Sequence, residues 1–339
     1  MSEKNLFKNP EEILKISKYT SSIKNKLISF ILNFEIDELN ILTILGKDLS
    51  KENLEHKLNS LIDINNIFFY FLEEDNEVIG LYILSLKNKI NDISFIIKKD
   101  KRNKGYGKIG LHLLIKKLSF DHPDINEYYF TISKKNIYGS LIIFGNNASL
   151  FKETDTEYIL KISKNNKVWI HKVSIDDLPK VMEITASAKK LLKSNGSLQW
   201  QQGYPNEETF SNDIKNGNLY GLYEDNELKG YGAYILGKDL NYVEINEGNW
   251  IFPANDKDMA IHRVAVDENS HGRNYGVKIL EYGIKYAKKF DCLTVKVDTH
   301  KNNIPMQKCI KKSGFLYRGI IKILTEKLDF LRLAYEIVL

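Results

Sequence analysis

This sequence has few cysteines, no long apolar run and no large excess of charge of one sign. Each of these features excludes a class of protein. Only two cysteines, Cys292 and Cys309, occur among 339 residues, which is too few for a disulfide framework and gives no metal-ligand spacing. No apolar run reaches the roughly 18 residues that a membrane span needs, and Met1–Pro10 has no signal-peptide layout. We therefore expect a cytoplasmic protein with reduced thiols, no metal site and no membrane partner.

The net charge limits the kind of partner, and the chain length limits the number of domains. The chain carries 49 Lys and Arg residues against 44 Asp and Glu residues, and the resulting charge of +5 is spread along the sequence. This mild balance suits an anionic small ligand and argues against a nucleic-acid partner. Because 339 residues exceed the size at which a single core stops growing, the length predicts two domains.

The clearest feature that the sequence does contain is a loop that occurs twice, half a chain length apart. The copies are Arg102-Asn103-Lys104-Gly105-Tyr106-Gly107 and His271-Gly272-Arg273-Asn274-Tyr275-Gly276. Each copy follows a short β-branched run and precedes an amphipathic helical stretch. A small-residue loop in this position exposes backbone N–H groups at the positive end of a helix dipole, where phosphate binds. The sequence therefore predicts a duplicated phosphate-binding domain.

A polar turn between apolar runs is duplicated as well. Residues 74–80 read EDNEVIG and residues 224–230 read EDNELKG, and the flanking runs predict a β-hairpin in each half. The stretch between hairpin and loop is longer in the second half, with the extra residues near Lys238 to Met259. A long aromatic insertion beside a binding loop is often functional, so Trp250 within it is a candidate substrate contact. The alternative is a surface excursion with its own small cluster.

A short polar stretch, Lys164–Lys167, separates the two halves and predicts domains at residues 1–165 and 166–339. After it, Ser174-Ile175-Asp176-Asp177 predicts the N-terminus of a helix, because apolar residues follow at helical spacing. The N-terminal half opens less clearly. Residues Glu11 to Leu61 indicate helical segments rich in Lys, Asn and Ile, and no first strand can be placed among them.

The two loops resemble a motif of the GNAT superfamily of acyl-CoA-dependent N-acetyltransferases, (Gln/Arg)-x-x-Gly-x-(Gly/Ala), which joins the fourth strand to the third helix. The first copy matches it with Arg102, Gly105 and Gly107. The second copy has His271, Asn274 and Gly276 there, and Asn is the residue that best replaces Gly where the backbone needs positive φ.

A second motif of the same superfamily is an Asn followed eleven residues later by Gly-Phe. Asn303 and Gly314-Phe315 match it in the second half, whereas Asn136 with Asn147-Ala148 is a looser match in the first. The resemblance covers nearly all of residues 168–339 and about residues 66–163. It implies two tandem α/β (α+β mixed-sheet) domains, each a mostly antiparallel sheet with splayed central strands flanked by helices.

The resemblance also implies acetyl-CoA as the cofactor. Both loops would bind its pyrophosphate through backbone N–H groups, with Arg102 and Lys104 or His271 and Arg273 adding charge nearby. The fourth strand would offer backbone groups of Val264 and Val266 to the pantetheine amides and polarise the thioester carbonyl. The motif Asn303 completes this set. The C-terminal domain would catalyse, and the degenerate N-terminal one would bind acyl-CoA or support the fold.

The usual acid and base of the superfamily are both missing. Many relatives donate a proton from a Tyr seven residues after the motif Asn, where this chain has Ile310, and relatives with a Glu base place it where this chain has Ala260. An alkylamine has a pKa of about 10 and must lose a proton before it attacks. The remaining catalytic candidates are His262, His300 and Tyr317.

The acceptor pocket is expected where the first helix of the second half ends. Residues 199–206 read QWQQGYPN, and Trp200 and Tyr204 with amides nearby suit a small polar amine. Asp298, two residues before His300, is a further candidate substrate contact. The alternative for both aromatic residues is that they only cap the core.

The favoured function is therefore transfer of an acetyl group from acetyl-CoA to a small-molecule or peptide amine by direct attack. A non-catalytic acyl-CoA-binding or partner-binding protein, and an aminoacyl transferase of GNAT-like fold, stay open. Gly105 to Gly110 also reads G-x-G-x-x-G, but a dinucleotide-binding fingerprint should open its domain after the first strand, which is not the case here. Because two duplicated halves can mimic the pairing of a dimer, a monomer is favoured over a dimer.

Overall fold

The computed structural model describes residues 13–20, 24–39, 42, 51–62, 64, 66–86, 91–324 and 330–339. The chain divides into two compact units, Met1–Asn166 and Lys167–Leu339, called the N-terminal and C-terminal units below. The residues of Met1–Pro10, for which the sequence analysis expected no signal peptide, lie outside the described part. No helix in the described part is long and apolar enough to cross a membrane.

The N-terminal unit is a mixed α/β layer structure. Its strands are β1 (Leu14–Lys18), β2 (Ile67–Glu74), β3 (Glu77–Ser85), β4 (Asp92–Ile97), β5 (Glu127–Ser133), β6 (Ser149–Glu153) and β7 (Glu157–Ser163), and its helices are α1 (Lys24–Leu32), α2 (Ile36–Leu39), α3 (Lys51–Ile62), α4 (Tyr106–Asp121) and α5 (Ile137–Gly145). The strands form one sheet in the order β1-β2-β3-β4-β5-β7-β6. A first strand, β1, does exist within Glu11 to Leu61, where the sequence analysis could place none. It is short and half-exposed, so its apolar pattern is weak.

The C-terminal unit repeats this arrangement. Its strands are β8 (Val168–Lys172), β9 (Leu219–Glu224), β10 (Glu227–Leu236), β11 (Asp258–Val266), β12 (Thr294–Thr299), β13 (Leu316–Lys322) and β14 (Leu331–Val338), and its helices are α6 (Leu178–Ser194), α7 (Glu207–Lys215), α8 (Tyr275–Lys289) and α9 (Ile304–Lys312). The sheet order is β13-β14-β12-β11-β10-β9-β8, with β11 and β12 as the parallel pair. The mixed α/β class with a mostly antiparallel sheet in each half is confirmed.

Both predicted hairpins form with the same backbone. Asp75 and Asn76 have φ of +49° and +66°, and Asp225 and Asn226 have φ of +50° and +65°. Two consecutive positive values belong to the tight turn that matches the twist of paired strands, and Asp and Asn tolerate that conformation. The strands of each hairpin are mostly buried, and each hairpin lies inside its sheet as the second and third strands from one edge.

The aromatic insertion of the C-terminal unit is a packed segment. Tyr242 and Trp250 are buried with Ala260, Ile321 and Ala334 in a separate apolar cluster. Buried charged side chains hold the backbone of the insertion against the sheet. The Lys296 ammonium pairs with Asp258 and donates to the Phe252 carbonyl over 3.0 Å, and Glu336, which is fully buried, accepts the Ile251 N–H over 2.8 Å. Trp250 therefore belongs to the core of the insertion, with the Lys296 ammonium 5.2 Å from its ring centroid.

The two units differ in how the fourth strand along the chain pairs with the third. In the N-terminal unit, β4 pairs with β3 in unbroken register from Asp92 to Ile97. In the C-terminal unit, Tyr231 pairs with Ala265 and Ala233 with His262, so a single residue of β10 lies opposite Arg263 and Val264. This is a β-bulge, which kinks the strand and redirects its side chains.

Candidate functional site

A cavity of about 850 Å³ lies within the C-terminal unit, along the side of β11 that faces β12. Its wall is made by the loop at the start of α8, by β11, by the ends of α6 and β12, and by the first turns of α9. Most of the residues expected from the sequence line it: Trp200, Tyr204, His262, Val264, Val266, His271, Gly272, Asn274, Tyr275, Gly276, Asp298 and Asn303. The sequence motifs therefore converge on one concave site.

The loop before α8 has the backbone of an anion-binding turn. Asn274, the N-cap of α8, has φ +59°, and Gly272 has φ +83°. The loop before α4 repeats this conformation with the residue types exchanged, since Gly105 has φ +92° and Asn103 has φ +62°. Asn and Gly are the residues that tolerate the left-handed region best, so both sequences fit one loop shape.

Side chains around the loop are duplicated too. The hairpin acid Glu224 pairs with Arg273, which also donates to the Tyr275 hydroxyl. In the N-terminal unit, Glu74 accepts from the Tyr106 hydroxyl and pairs with Lys101, both over 2.5 Å. The hairpin therefore fixes the loop in each unit, and this is why the two motifs recur together. Arg273 is engaged in this way and does not line the cavity.

The strand edge beside the loop is open. The parallel ladder pairs Asp258 to Ile261 with Thr294 to Val297, and within the described residues it extends no further along β11. On its other side β11 remains paired with β10 as far as Val266. Val264, Ala265 and Val266 therefore turn one row of backbone groups toward the cavity. Such a row can bind the amides of an extended ligand as an added strand would.

The bulge changes which side chains of β11 reach the cavity. In a regular strand His262 and Val264 would lie on one face and Arg263 on the other. Arg263 has φ +51°, a strained value for a residue with a long side chain, and all three residues line the cavity. The bulge therefore concentrates three successive residues on one site.

His262 forms a short pair with a carboxylate of the insertion. Its Nε2 lies 2.7 Å from Asp239 Oδ2, and the two side chains are 17% and 15% exposed. Burial raises the pKa of Asp239, but the hydrogen bond and charge of His262, helped by Asn241, outweigh burial and leave the pKa below its ordinary value. The carboxylate is therefore ionised at neutral pH and can orient the ring and stabilise its protonated form.

The ring of His262 also stacks on an aromatic residue of the insertion. The ring centroids of His262 and Tyr242 are 5.7 Å apart at 13°, and the Tyr242 hydroxyl donates to Asp298 over 2.8 Å. Asp298 stands at the end of β12 and lines the cavity. One tyrosine thus supports both the imidazole and the second carboxylate of this wall.

Arg263 connects β11 to the predicted acceptor segment. Its guanidinium donates to both carboxylate oxygens of Asp213 over 2.8 and 2.9 Å, and to the Tyr204 hydroxyl over 2.7 Å. Burial raises the pKa of Asp213, and Arg263 offsets this only in part. Burial likewise raises the pKa of Tyr204, against the opposing effect of Arg263, so its phenol is protonated at neutral pH.

Three other expected site residues lie away from the cavity. His300 is 2% exposed, and its Nδ1 accepts the Asn302 N–H over 3.1 Å, so it stabilises the turn after β12. Tyr317 is half-exposed on β13 and packs edge-on against Tyr335, with their ring centroids 5.6 Å apart. Trp250 is held in the insertion core. None of these three lines the cavity, whereas His262 does.

The loop of the N-terminal unit has a different setting. The Arg102 guanidinium donates to the Ile97 carbonyl and pairs with Glu38 over 2.8 Å, so its charge is already engaged. By strand pairing, the residue equivalent to His262 is Ser94, and no counterpart of Arg263 occurs because β4 has no bulge. The strand register thus places Asp92 at the position equivalent to Ala260.

Sequence reasoning missed Asp239, Arg263 and Arg332, which line the cavity, and Asp213, which pairs with Arg263. Arg332 lies on β14, is 1% exposed and lines the cavity. A signal for Arg263 was present, because His262-Arg263 places two polar residues in succession within an apolar strand. Asp239 and Asp213 are 23 and 50 residues from their partners, and only the fold brings them together.

Comparison with known proteins shows a family resemblance in the C-terminal unit. Residues 185–315 match the profile described as the acetyltransferase (GNAT) family. No curated protein matches the chain significantly. Among solved structures, a GNAT family acetyltransferase from Streptococcus agalactiae shares 29% identity, over 51% of this chain and 95% of that one, with a TM-score of 0.45.

Two further structural matches have named activities. A ribosomal-protein-alanine N-acetyltransferase from Brucella melitensis is 18% identical over 50% of this chain and 99% of its own, with a TM-score of 0.38. A spermidine N-acetyltransferase from Vibrio cholerae, in complex with CoA and spermine, is 16% identical over 46% and 98%, with a TM-score of 0.37. The family profile falls on the unit that contains the cavity, its open strand edge and its loop. Through this unit, the chain is similar to the GNAT family of acetyltransferases over residues 185–315.

Proposed function

We propose that the C-terminal unit transfers an acetyl group from acetyl-CoA to a primary amine of a small molecule or peptide. The observation that carries the proposal is the convergence of three features in one cavity of about 850 Å³. These are the loop at the start of α8, the open edge of β11 and the pair of His262 with Asp239. Each supplies a different requirement of acyl transfer.

The residues present fit acetyl-CoA, which supplies an acyl group on a good leaving thiol. The positive-φ loop and the N-terminus of α8 can bind the pyrophosphate, since backbone N–H groups and the helix dipole both favour an anion. The backbone groups of Val264 to Val266 can hold the pantetheine amides. In the same row, the Val264 N–H is the group proposed to stabilise charge on the carbonyl oxygen.

His262 is the proposed general base. An amine with a pKa of about 10 is mostly protonated at neutral pH, so a base at the acceptor end of the cavity must take a proton. Asp239 fixes the orientation of the ring and stabilises the imidazolium that forms. Trp200, Tyr204 and Asp298 line this end, and Trp200 and Asp298 are proposed to contact the acceptor.

The N-terminal unit is proposed to support the fold or to bind acyl-CoA without catalysis. It has the loop conformation but neither the bulge nor an imidazole at the position of His262. Its Arg102 is paired with Glu38. These features support a non-catalytic role, and binding must be measured.

Isothermal titration of acetyl-CoA into wild type and into Gly107→Asp and Gly276→Asp tests both halves. A side chain at Gly276 would meet Cys309 Sγ at 3.1 Å, and one at Gly107 would meet Ile142 Cδ1 at 2.9 Å. Each added carboxylate also repels phosphate. Gly272→Asp is a second variant with open space around it, and Gly272→Ala, which places the same strain at φ +83° without a charge, is its control.

Each result of this titration has a distinct meaning. One site that Gly276→Asp and Gly272→Asp abolish and Gly107→Asp spares supports the proposal. Two sites, each lost with its own variant, would make the N-terminal unit a second acyl-CoA domain. Binding without acetyl transfer to a panel of amino acids, peptides, diamines and aminoglycosides would favour a non-catalytic acyl-CoA-binding protein. No binding at all would remove the acyltransferase function.

A further inference from the structure

We propose that Tyr204 is the general acid of the reaction, and that Arg263 and Asp213 are positioning residues that hold its hydroxyl in the cavity. This inference rests on the proposed acetyl transfer. It assigns a catalytic role to a segment between α6 and α7 that the sequence analysis treated as an acceptor wall.

The site needs a proton donor, and the position used by many relatives cannot supply it. Ile310 occupies that position and is fully buried. Among the described residues that line the cavity, the phenols are Tyr204 and Tyr275. Tyr275 stands in the loop before α8 and accepts from Arg273, so it lies at the anion-binding end. Tyr204 is therefore the phenol of the acceptor end.

The contacts of Tyr204 are those of a placed donor. Its hydroxyl oxygen accepts from Arg263 Nη1 over 2.7 Å, which leaves the O–H proton available for donation. Arg263 is itself fixed by two bonds to Asp213, and those two side chains are only 11% and 10% exposed. A guanidinium beside the hydroxyl stabilises the phenolate that donation leaves behind.

The bulge in β11 explains how acid and base come to share one site. His262, Arg263 and Val264 are consecutive, and all three line the cavity. They place, in order, the proposed base, the residue that holds the proposed acid, and the backbone N–H proposed to face the carbonyl oxygen. The N-terminal unit, whose β4 is regular, has no equivalent of this arrangement.

A protonated acceptor first loses one proton to solvent through His262, so the step starts from the neutral amine, and from there its proton balance is complete. The amine nitrogen bonds to the acetyl carbon, and the carbon–sulfur bond breaks with its electron pair on sulfur. Sulfur takes the proton of Tyr204, while His262 holds the proton that the amine has lost. That proton then returns to the phenolate through solvent, so the products are an amide and a free thiol.

Tyr204→Phe tests the assignment, with Tyr158→Phe in the N-terminal unit as the matched control. With the best amine of the panel above, kcat on acetyl-CoA should fall by about 10²-fold, the usual loss for one general acid. The Kd for acetyl-CoA and the KM for the amine should stay within twofold. With 4-nitrophenyl acetate, whose leaving group needs no proton, the loss should stay under threefold. Arg263→Lys should lose part of the rate.

A second readout does not depend on turnover. With tyrosine labelled at Cζ with ¹³C, the NMR signal that Tyr204→Phe removes should shift when coenzyme A is added, because its thiol would lie beside the hydroxyl. An unchanged kcat in Tyr204→Phe, a raised amine KM, equal losses with both acyl donors, or an unmoved Tyr204 signal would each overturn the assignment. Wild type that binds no acetyl-CoA would instead remove the proposed function itself.

Discussion

Replacing Asp239 by Asn is the sharpest test of the proposed base. The change keeps the size of the side chain but removes the charge that faces His262 Nε2 over 2.7 Å. A hydrogen bond to a charged group contributes about 1.5–3 kcal/mol. At roughly 1.36 kcal/mol per tenfold in rate, kcat should fall by about 10- to 150-fold if the transition state uses the whole interaction.

The assay is release of free thiol from acetyl-CoA in the presence of the best amine of the panel, with acetyl-CoA affinity measured in parallel by titration. The Kd should not change, because Asp239 lies on the insertion, away from the loop before α8. Asp256→Asn, an exposed site on the same insertion, is the control and should retain the wild-type rate. A kcat of Asp239→Asn within twofold of wild type would refute the role of the pair.

Three further outcomes follow from the structure. Glu336→Ala would remove the buried carboxylate that faces Arg318 and leave Lys296 with Asp258 alone. It should cost about 3–5 kcal/mol and lower the melting temperature by roughly 10 °C. Glu227→Ala, at an exposed pair, should leave melting unchanged in calorimetry. The pKa of Asp239 in the folded protein lies below its value of about 3.9 in an unfolded chain. The extra stability of wild type over Asp239→Asn should therefore be full above about pH 4 and disappear at lower pH. Urea titrations of both proteins over a range of pH measure this difference. Burial raises the pKa of the Cys309 thiol despite the opposing Lys312, so iodoacetamide should label this thiol slowly at pH 7. Cys309 lines the cavity, so acetyl-CoA should slow the labelling further. Mass spectrometry that shows no protection by acetyl-CoA would place the ligand elsewhere.

The repeated features were predictable because they depend on local chemistry. A turn that needs two positive φ values selects Asp-Asn in both hairpins, and a loop that needs them selects Gly and Asn. The capping box at Ser174 forms on a short 3-10 turn, Ile175–Asp177, that leads into α6. Such signals lie within a few residues of one another, so the sequence carries them without knowledge of the fold.

The rest of the site depends on contacts between distant segments. Alternation along β11 predicts one face for His262 and another for Arg263, and a bulge cannot be read from that pattern because it adds a single residue to one strand. Trp250 was expected at the acceptor because an aromatic insertion adjoins the loop. It packs instead against Lys296, whose burial could not be foreseen without its partners Asp258 and Glu336.

The comparison of the two units separates the features that both share from those that only the C-terminal unit has. Both units have the hairpin acid, the loop tyrosine and the positive-φ turn, so these features alone do not distinguish a catalytic unit from its copy. The difference lies in the register of the strand before the loop. The bulge adds one residue, Arg263, to β11. His262, Arg263 and Val264 all line the cavity, and Arg263 holds the Tyr204 hydroxyl there. We therefore expect acyl transfer in the unit that has the bulge, and we do not expect the shared loop alone to identify it.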